Sequence, residues 1–198
     1  MAEERKTIAP WKVLESKYNY RDRWLALRSD TVELPNGRVL APFHVIEQPD
    51  WVTAIAITHE GKIVLVEEYR HGARQAVVEL PSGIHEGPGE PVEQMKRELL
   101  EETGFAGEDW HALGTFFANA PRLDNRVHCF LALDVHKVSE PTPDDGEIIV
   151  THEVPFPGFL EELRDGRRTF HGFQGGALWL LHGFARKTRD RRLAALLD

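Results

Sequence analysis

Three glutamates, Glu98, Glu101 and Glu102, are separated by three and four residues, so a helix through them carries their carboxylates on one face. Like charges so placed repel by about 0.2–0.5 kcal/mol per pair, and a bound cation relieves that repulsion. A hard divalent ion suits oxygen ligands, and no cysteine or histidine with zinc spacing stands nearby, so Mg2+ is the expected cofactor, with Mn2+ able to replace it. Arg97 lies four residues before Glu101 and can pair with it, which leaves Glu98 and Glu102 for the metal. Carboxylates that cluster divalent ions serve the hydrolysis of phosphate linkages, because the ions neutralise the anion and lower the pKa of bound water.

The element that positions these acids is predicted as a helix from about Pro91. Val92, Met95 and Leu99 form its apolar stripe and Leu100 broadens it; Pro91 suits the first turn and Gly104 the position just past the end. A glycine-rich turn, GIHEGPGEP, precedes the helix. His85-Glu86 begins like the zinc motif H-E-x-x-H, but position 89 is glycine, which excludes it. Gly83, Gly87 and Gly89 have the wrong spacing for a dinucleotide fingerprint and are expected to let the backbone turn tightly beside a diphosphate.

Together, Gly83 and the run RELLEETGF from Arg97 to Phe105 resemble the Nudix box, G-x5-E-x7-R-E-U-x-E-E-x-G-U, with Gly83 fourteen residues before Arg97 as the pattern requires. One position departs: Gly89 stands where the pattern has its first glutamate, with Glu90 and Glu86 as neighbouring candidates for that role. EEYRHG, and ELPSG leading into the box, are similar to the approach strands of ADP-ribose pyrophosphatases within that superfamily. That resemblance implies that Arg70 contacts substrate, that Glu79 lies near the site and that the Ser82 carbonyl binds metal. Pro121, sixteen residues after Phe105, stands where the same group has a proline, although Ala120 and Arg122 replace its flanking serine and glycine. Arg122 is a candidate phosphate or sugar contact. A catalytic glutamate is implied in the acidic loop 138–147, with Glu147 the carry-over and Asp145 in reserve.

Ahead of the box, WKVLESKYNY, RWLALRSDTVEL and RVLAPFHVIEQ read as strands, with Asn36-Gly37 predicting a type I′ hairpin between the last two. Three strands are too few to be stable alone. The resemblance implies that residues 1–48 are an N-terminal strand module that builds a homodimer and supplies an adenine-stacking aromatic, for which Trp24 and Phe43 are the candidates. Residues 49–198 are the expected Nudix domain. The fold class is therefore α/β, a Nudix-type α/β/α sandwich around a mixed sheet, with a small antiparallel N-terminal module. Strands are expected over VTAIAIT, KIVLVEEYR, AVVELP, LGTFFAN, RVHCFLALDV and IIVTHEV, and helices over PGFLEELRDG, GGALWLLHGFARK and DRRLAALLD.

Composition narrows the partners. A net charge of -8 argues against nucleic acid and leaves bound metal and local arginines to offset repulsion from an anionic substrate. The single cysteine, Cys129, sits in an apolar run and is expected to be a buried thiol. No apolar run approaches the roughly 18 residues of a membrane span and the first residues lack the apolar core of a signal peptide, so a cytoplasmic location is expected. The implied reaction is metal-dependent hydrolysis of the pyrophosphate bond of a nucleoside diphosphate derivative, with ADP-ribose giving AMP and ribose 5-phosphate. The alternatives are another nucleotide sugar such as GDP-mannose, or a non-catalytic nucleotide-sensing module.

Overall fold

The computed structural model describes residues 7–144, 146–168 and 172–197. The chain divides into two compact units, Met1–Pro49 with Phe117–Asn125, and Asp50–Phe116 with Arg126–Asp198.

The first unit is a three-stranded antiparallel sheet of β1 (Lys12–Arg21), β2 (Ala26–Glu33) and β3 (Val39–Glu47), with β2 in the middle. Ala26, Asp30 and Val32 are buried on the central strand, and Asp30 is held by Arg28 Nε at 2.9 Å and the Ser16 hydroxyl at 2.7 Å. Every residue of β1 is exposed. The β2–β3 loop is not the two-residue type I′ turn predicted from Asn36-Gly37. Gly37 N–H donates to Leu34 C=O and Leu34 N–H to Arg38 C=O, each at 2.8 Å, and only Gly37 has positive φ, at 80°. Pro35 is the reason: its ring fixes φ near −65°, which suits the second position of an ordinary turn and makes a three-residue loop with a glycine bulge. Residues 117–125 join this unit through a bridge from Leu123 to Ile46 and a bond from Ile46 N–H to Arg122 C=O at 2.8 Å.

In the second unit, β4 (Asp50–Thr58) is the axis of a mixed sheet. It pairs in parallel with β10 (Arg126–Lys137) and antiparallel with β5 (Lys62–Arg70) and β7 (Ser82–His85). Further out, β5 pairs with β6 (Gln75–Glu79) and β11 (Ile149–Pro155), and β10 with β8 (Phe105–Ala106) and β9 (Asp109–Phe117). Val52 through Thr58 are all buried, as a strand covered on both faces requires. On one face α1 (Pro91–Thr103) seats Met95 and Leu99 against Val52, Ala54, Ala56, Phe130 and Ala132. The alanines keep that sheet surface low enough for the helix to approach. The alternate residues Ile55 and Ile57 face the other side, where α3 (Gly172–Thr188) packs on β4 and β10 through buried Ala177, Leu178 and Leu181. Helix α2 (Phe156–Arg164) lies on β5 and β11, and α4 (Arg191–Leu197) on α2 and α3.

Two local features differ from expectation. Leu100 does not extend the apolar stripe of α1: it is 37% exposed, one residue round the helix from buried Leu99. The polar stretch 138–147 reads from composition as mobile, yet its first part, residues 138–142, is tied to the end of α1. Gly104 C=O accepts from Val138 N–H at 2.8 Å and Ser139 N–H at 3.2 Å, and Glu101 C=O accepts from Thr142 N–H at 2.8 Å. Gly104 closes α1 in the left-handed region at φ 74°, and a Cβ there would lie 2.1 Å from Ser139 O, so glycine is required twice over.

Candidate active site

The Ser82-Gly83 step carries the geometry. Residues 83–85 are expected to be part of a turn but lie in strand β7, paired with β4 at Thr53↔Ser82 and Val52↔Gly83. The pairing places the box glycine against α1. A Cβ at Gly83 would stand 2.1 Å from Glu98 Cδ, so the Glu98 carboxylate occupies the space that a side chain would fill. One residue back, Ser82 N–H donates to Glu102 Oε2 at 3.2 Å. Gly83 therefore makes room for an acid, where the sequence suggests room for a diphosphate; Gly89 faces open space.

Around these two acids the fold collects charge from three other segments. Arg70, at the end of β5, is clamped by carboxylates: its Nε and Nη2 reach Glu79 Oε1 at 2.6 and 2.5 Å, and its Nη1 reaches Glu68 Oε2 at 2.8 Å. Glu79 is buried on β6. Glu147 folds back on its own loop, its N–H donating to Asp144 C=O at 2.9 Å and its carboxylate accepting from Asp144 N–H at 3.3 Å. It lies close enough to Glu98 and Glu102 to repel both. Asp145 lies outside the described residues.

Burial and mutual repulsion unsettle these carboxylates. Glu98 is pushed up to about 7, first by burial and then by Glu101 and Glu147, against the stabilising hydrogen bond from Gln94. Glu102 is raised well above the usual carboxylate range, by burial first and by Glu98 next. Glu147 is raised as well, again chiefly by burial. Cys129 is buried and its thiol is pushed up to about 12, which suits a core residue and not a nucleophile.

Two expectations about α1 need correction. Arg97 does not pair with Glu101: it donates to Gln94 Oε1, one turn back, where a neutral amide at i−3 offers an acceptor on the same helix while Glu101 stays exposed to solvent. Neither candidate for the missing box glutamate enters the site. Glu86 is exposed, and Glu90 is the exposed N-cap of α1 with no side-chain capping bond.

The remaining candidates belong to the first unit. Phe43 meets Trp11 edge-on at 5.6 Å and has the Arg122 guanidinium 5.4 Å from its ring. Arg122 also donates to His44 C=O at 3.3 Å, and its own N–H bonds Asn119 C=O at 2.9 Å in the turn that holds Pro121. Trp24 is half exposed with Arg23 over its ring at 4.2 Å. Sequence reading passed over Glu68 and Gln94. Glu68 is legible as an alternate-position neighbour of Arg70 on one strand, and Gln94 as the i−4 neighbour of Glu98.

Among the described residues no three His, Cys, Asp or Glu side chains converge to hold an ion by themselves. The donor set nevertheless fits a hard divalent ion of the magnesium type, which takes one or two carboxylates and leaves its other positions to water and phosphate oxygens. Two under-compensated acids, Glu98 and Glu102, meeting at the Ser82-Gly83 backbone are such a set.

A NUDIX domain model matches residues 48–171, and a nucleoside diphosphate sugar hydrolase N-terminal domain model matches residues 11–46. The chain belongs to the Nudix family. It is 32% identical over 159 residues to an ADP-ribose pyrophosphatase of Bacillus subtilis (strain 168), covering 80% of this chain and 82% of that protein. It is 31% identical over 157 residues to a methanol dehydrogenase activator of Bacillus methanolicus, covering 79% and 84%. A crystal structure of an ADP compounds hydrolase superposes with a TM-score of 0.79 at 19% identity, over 93% of this chain and 98% of that one, which shows the shared α/β Nudix fold. This Nudix protein is a pyrophosphohydrolase acting on nucleoside diphosphate derivatives, in a family that works with divalent metals. No helix among the described residues is long and apolar enough to cross a membrane.

Ion binding to this Nudix site is expected to displace protons. With Glu98 near 7, an ion that takes Glu98 as a ligand at pH 6 is expected to release about one proton from it, more if Glu102 is also protonated, and affinity should fall by about tenfold per unit of falling pH for each proton displaced. At pH 8.5 the Glu98 contribution should vanish. Calorimetry in two buffers of different ionisation enthalpy counts the protons, and equal counts at both pH values would contradict this account.

Proposed function

We propose that the substrate is ADP-ribose, hydrolysed to AMP and ribose 5-phosphate, with Mg2+ as the ion and Mn2+ able to replace it. The observation that carries this reading is the meeting of Glu98 and Glu102 at the Ser82-Gly83 backbone, with Glu147 and the clamped Arg70 beside them. Identity of 32% to an ADP-ribose pyrophosphatase supports the choice of substrate.

Glu98 and Glu102, with the Ser82 carbonyl and Glu101 at the margin, are the proposed ligands. A bound divalent ion supplies neutralisation of the diphosphate and a lowered pKa for water. The protein's own groups do the rest. Glu68 and Glu79 fix the Arg70 guanidinium, whose remaining N–H bonds are available to a phosphate oxygen. Arg97 acts through its neighbour on α1. Glu147 is the proposed base: water oxygen bonds to phosphorus, the bond from phosphorus to the bridging oxygen breaks, and the water proton passes to the Glu147 carboxylate. Its raised affinity for a proton suits it to that task near neutral pH. Trp24 and Phe43 are the proposed base-stacking rings, and Pro121 and Arg122 the proposed contacts to the sugar side.

A homodimer and a cytoplasmic location belong to the same proposal. The wholly exposed edge strand β1 carries Val13, Leu14, Tyr18 and Tyr20, each 44–56% exposed, an apolar edge that a second copy of the chain would cover. Light scattering should then return twice the chain mass, and a monomer at micromolar concentration would remove this part.

A second reading, another nucleotide sugar such as GDP-mannose, is favoured by the N-terminal match to nucleoside diphosphate sugar hydrolases and by Ala120 and Arg122 beside Pro121. A panel of dinucleotides and sugar diphosphates assayed with Mg2+ and with Mn2+ separates the two. ADP-ribose should rank among the best substrates by kcat/KM; if GDP-mannose outranks it by tenfold or so, the second reading replaces the first.

A further inference from the structure

Between Arg97 and Glu98 stands a neutral side chain with both ends committed. Gln94 Nε2 donates to Glu98 Oε1 at 2.6 Å, and Gln94 Oε1 accepts from Arg97 Nη2. The two bonds agree on the amide's orientation: a carboxylate can only accept and a guanidinium can only donate, so the flipped amide would face both partners with the wrong group. All three residues lie on one side of α1 at spacings of three and four, roughly a third of a turn from the buried Met95 and Leu99. On its far side the Glu98 carboxylate rests on the Gly83 backbone. Glu98 is thus held between a bare glycine and one donated N–H.

We propose that Gln94 is a positioning residue that fixes the rotamer of Glu98, with Arg97 acting on the metal site through it. The Nudix pattern has a glutamate six residues after its first glycine; here that position is Gly89, and Glu86 and Glu90 both stay exposed. Arg97 therefore has no box glutamate to hold, and its guanidinium bonds the Gln94 amide instead. The chain Arg97–Gln94–Glu98 converts a guanidinium, which would otherwise compete with an ion for the carboxylate, into support one residue removed. This inference rests on Glu98 being a metal ligand.

The test is Mn2+ binding to metal-free protein, followed by electron paramagnetic resonance of free Mn2+, so that no turnover is needed. Gln94→Met keeps length and helix propensity but cannot donate, and should weaken Mn2+ binding by about tenfold, the low end of what an outer hydrogen-bond partner contributes. Arg97→Met should weaken it less, and in the Gln94→Met background should add almost nothing, because the two act in series. Gln94→Ala gives an independent check, and thermal melting confirms that each variant folds. Binding within twofold of the parent in both Gln94 variants overturns the proposal, as does full additivity of the Arg97 and Gln94 changes. Glu98→Gln is the control: if it abolishes binding while the Gln94 variants bind normally, the proposal fails alone and the hydrolase reading stands. If Glu98→Gln binds Mn2+ like the parent, both fail.

Discussion

Glu98→Gln is expected to lower kcat/KM for ADP-ribose by about a thousandfold, in the range that follows loss of a group stabilising transition-state charge. The substitution is isosteric, so the carboxamide still fits against Gly83 and still meets Gln94. What disappears is the negative charge. The fold should survive, and the sign of the linkage says why. A carboxyl raised in the folded protein holds its proton more tightly there than in the unfolded chain, so ionisation from the usual 4.5 up to about 7 removes stability as pH rises through that window. Glutamine takes no part in that loss, and the metal-free variant should melt at or above the parent temperature at pH 8. Glu101→Gln, on an exposed residue, should cost far less. Steady-state kinetics with saturating Mg2+, paired with thermal melts without metal, read both quantities. Turnover within tenfold of the parent would show that Glu98 is not a principal ligand.

Much of this site was written in local sequence. Pro91, Gly104 and the Val92, Met95, Leu99 period are self-contained signals, and α1 begins and ends where they place it. The acids on its other face needed only helical spacing. Strand β7 had no such signal. Ser82-Gly83-Ile84-His85 has poor strand propensity, and its extended form comes from pairing with β4, thirty residues away in sequence, which no local pattern records. The same holds for Arg70: its position at a strand end was legible, but the clamp by Glu68 and Glu79 depends on how β5 and β6 register. Arg97 shows a different failure. Pairing it with Glu101 is sound charge logic, but a neutral glutamine at i−3 took its place, and charge patterning is blind to a residue without charge. In the first unit, Pro35 outweighed the Asn-Gly signal beside it because a ring-fixed φ admits fewer alternatives than a preference does. Loop 138–147 was read from its polar composition, whereas residues 138–142 are fixed by backbone bonds to the end of α1.

Gly83→Ala should separate the role of the box glycine from that of an ordinary strand residue. Gly83 lies outside the positive-φ glycines, so alanine fits the backbone there and the obstacle is wholly Glu98. The new Cβ would fall 2.1 Å from Glu98 Cδ, 2.2 Å from Oε1 and 2.5 Å from Cγ, separations that no side chain tolerates. The carboxylate is the mobile partner and must rotate away from residue 83 and from the Gln94 amide. A half-buried, flexible side chain can move at a cost to stability of about 1 kcal/mol. Activity is expected to fall further, because in the ligand role proposed for Glu98 a displacement of more than about 1 Å costs on the order of a hundredfold. Gly104→Ala is the contrasting case. Its obstacle is the backbone oxygen of Ser139 and its φ is 74°, so about 1–3 kcal/mol of stability is lost while the Glu98 environment is untouched. Melting temperature and kcat/KM measured on both variants should therefore move in opposite patterns, Gly83→Ala losing turnover and Mn2+ affinity with a small change in melting, Gly104→Ala the reverse. A Gly83→Ala enzyme with parental turnover would mean that Glu98 works from another rotamer, and the site drawn around the Ser82-Gly83 backbone would have to be redrawn.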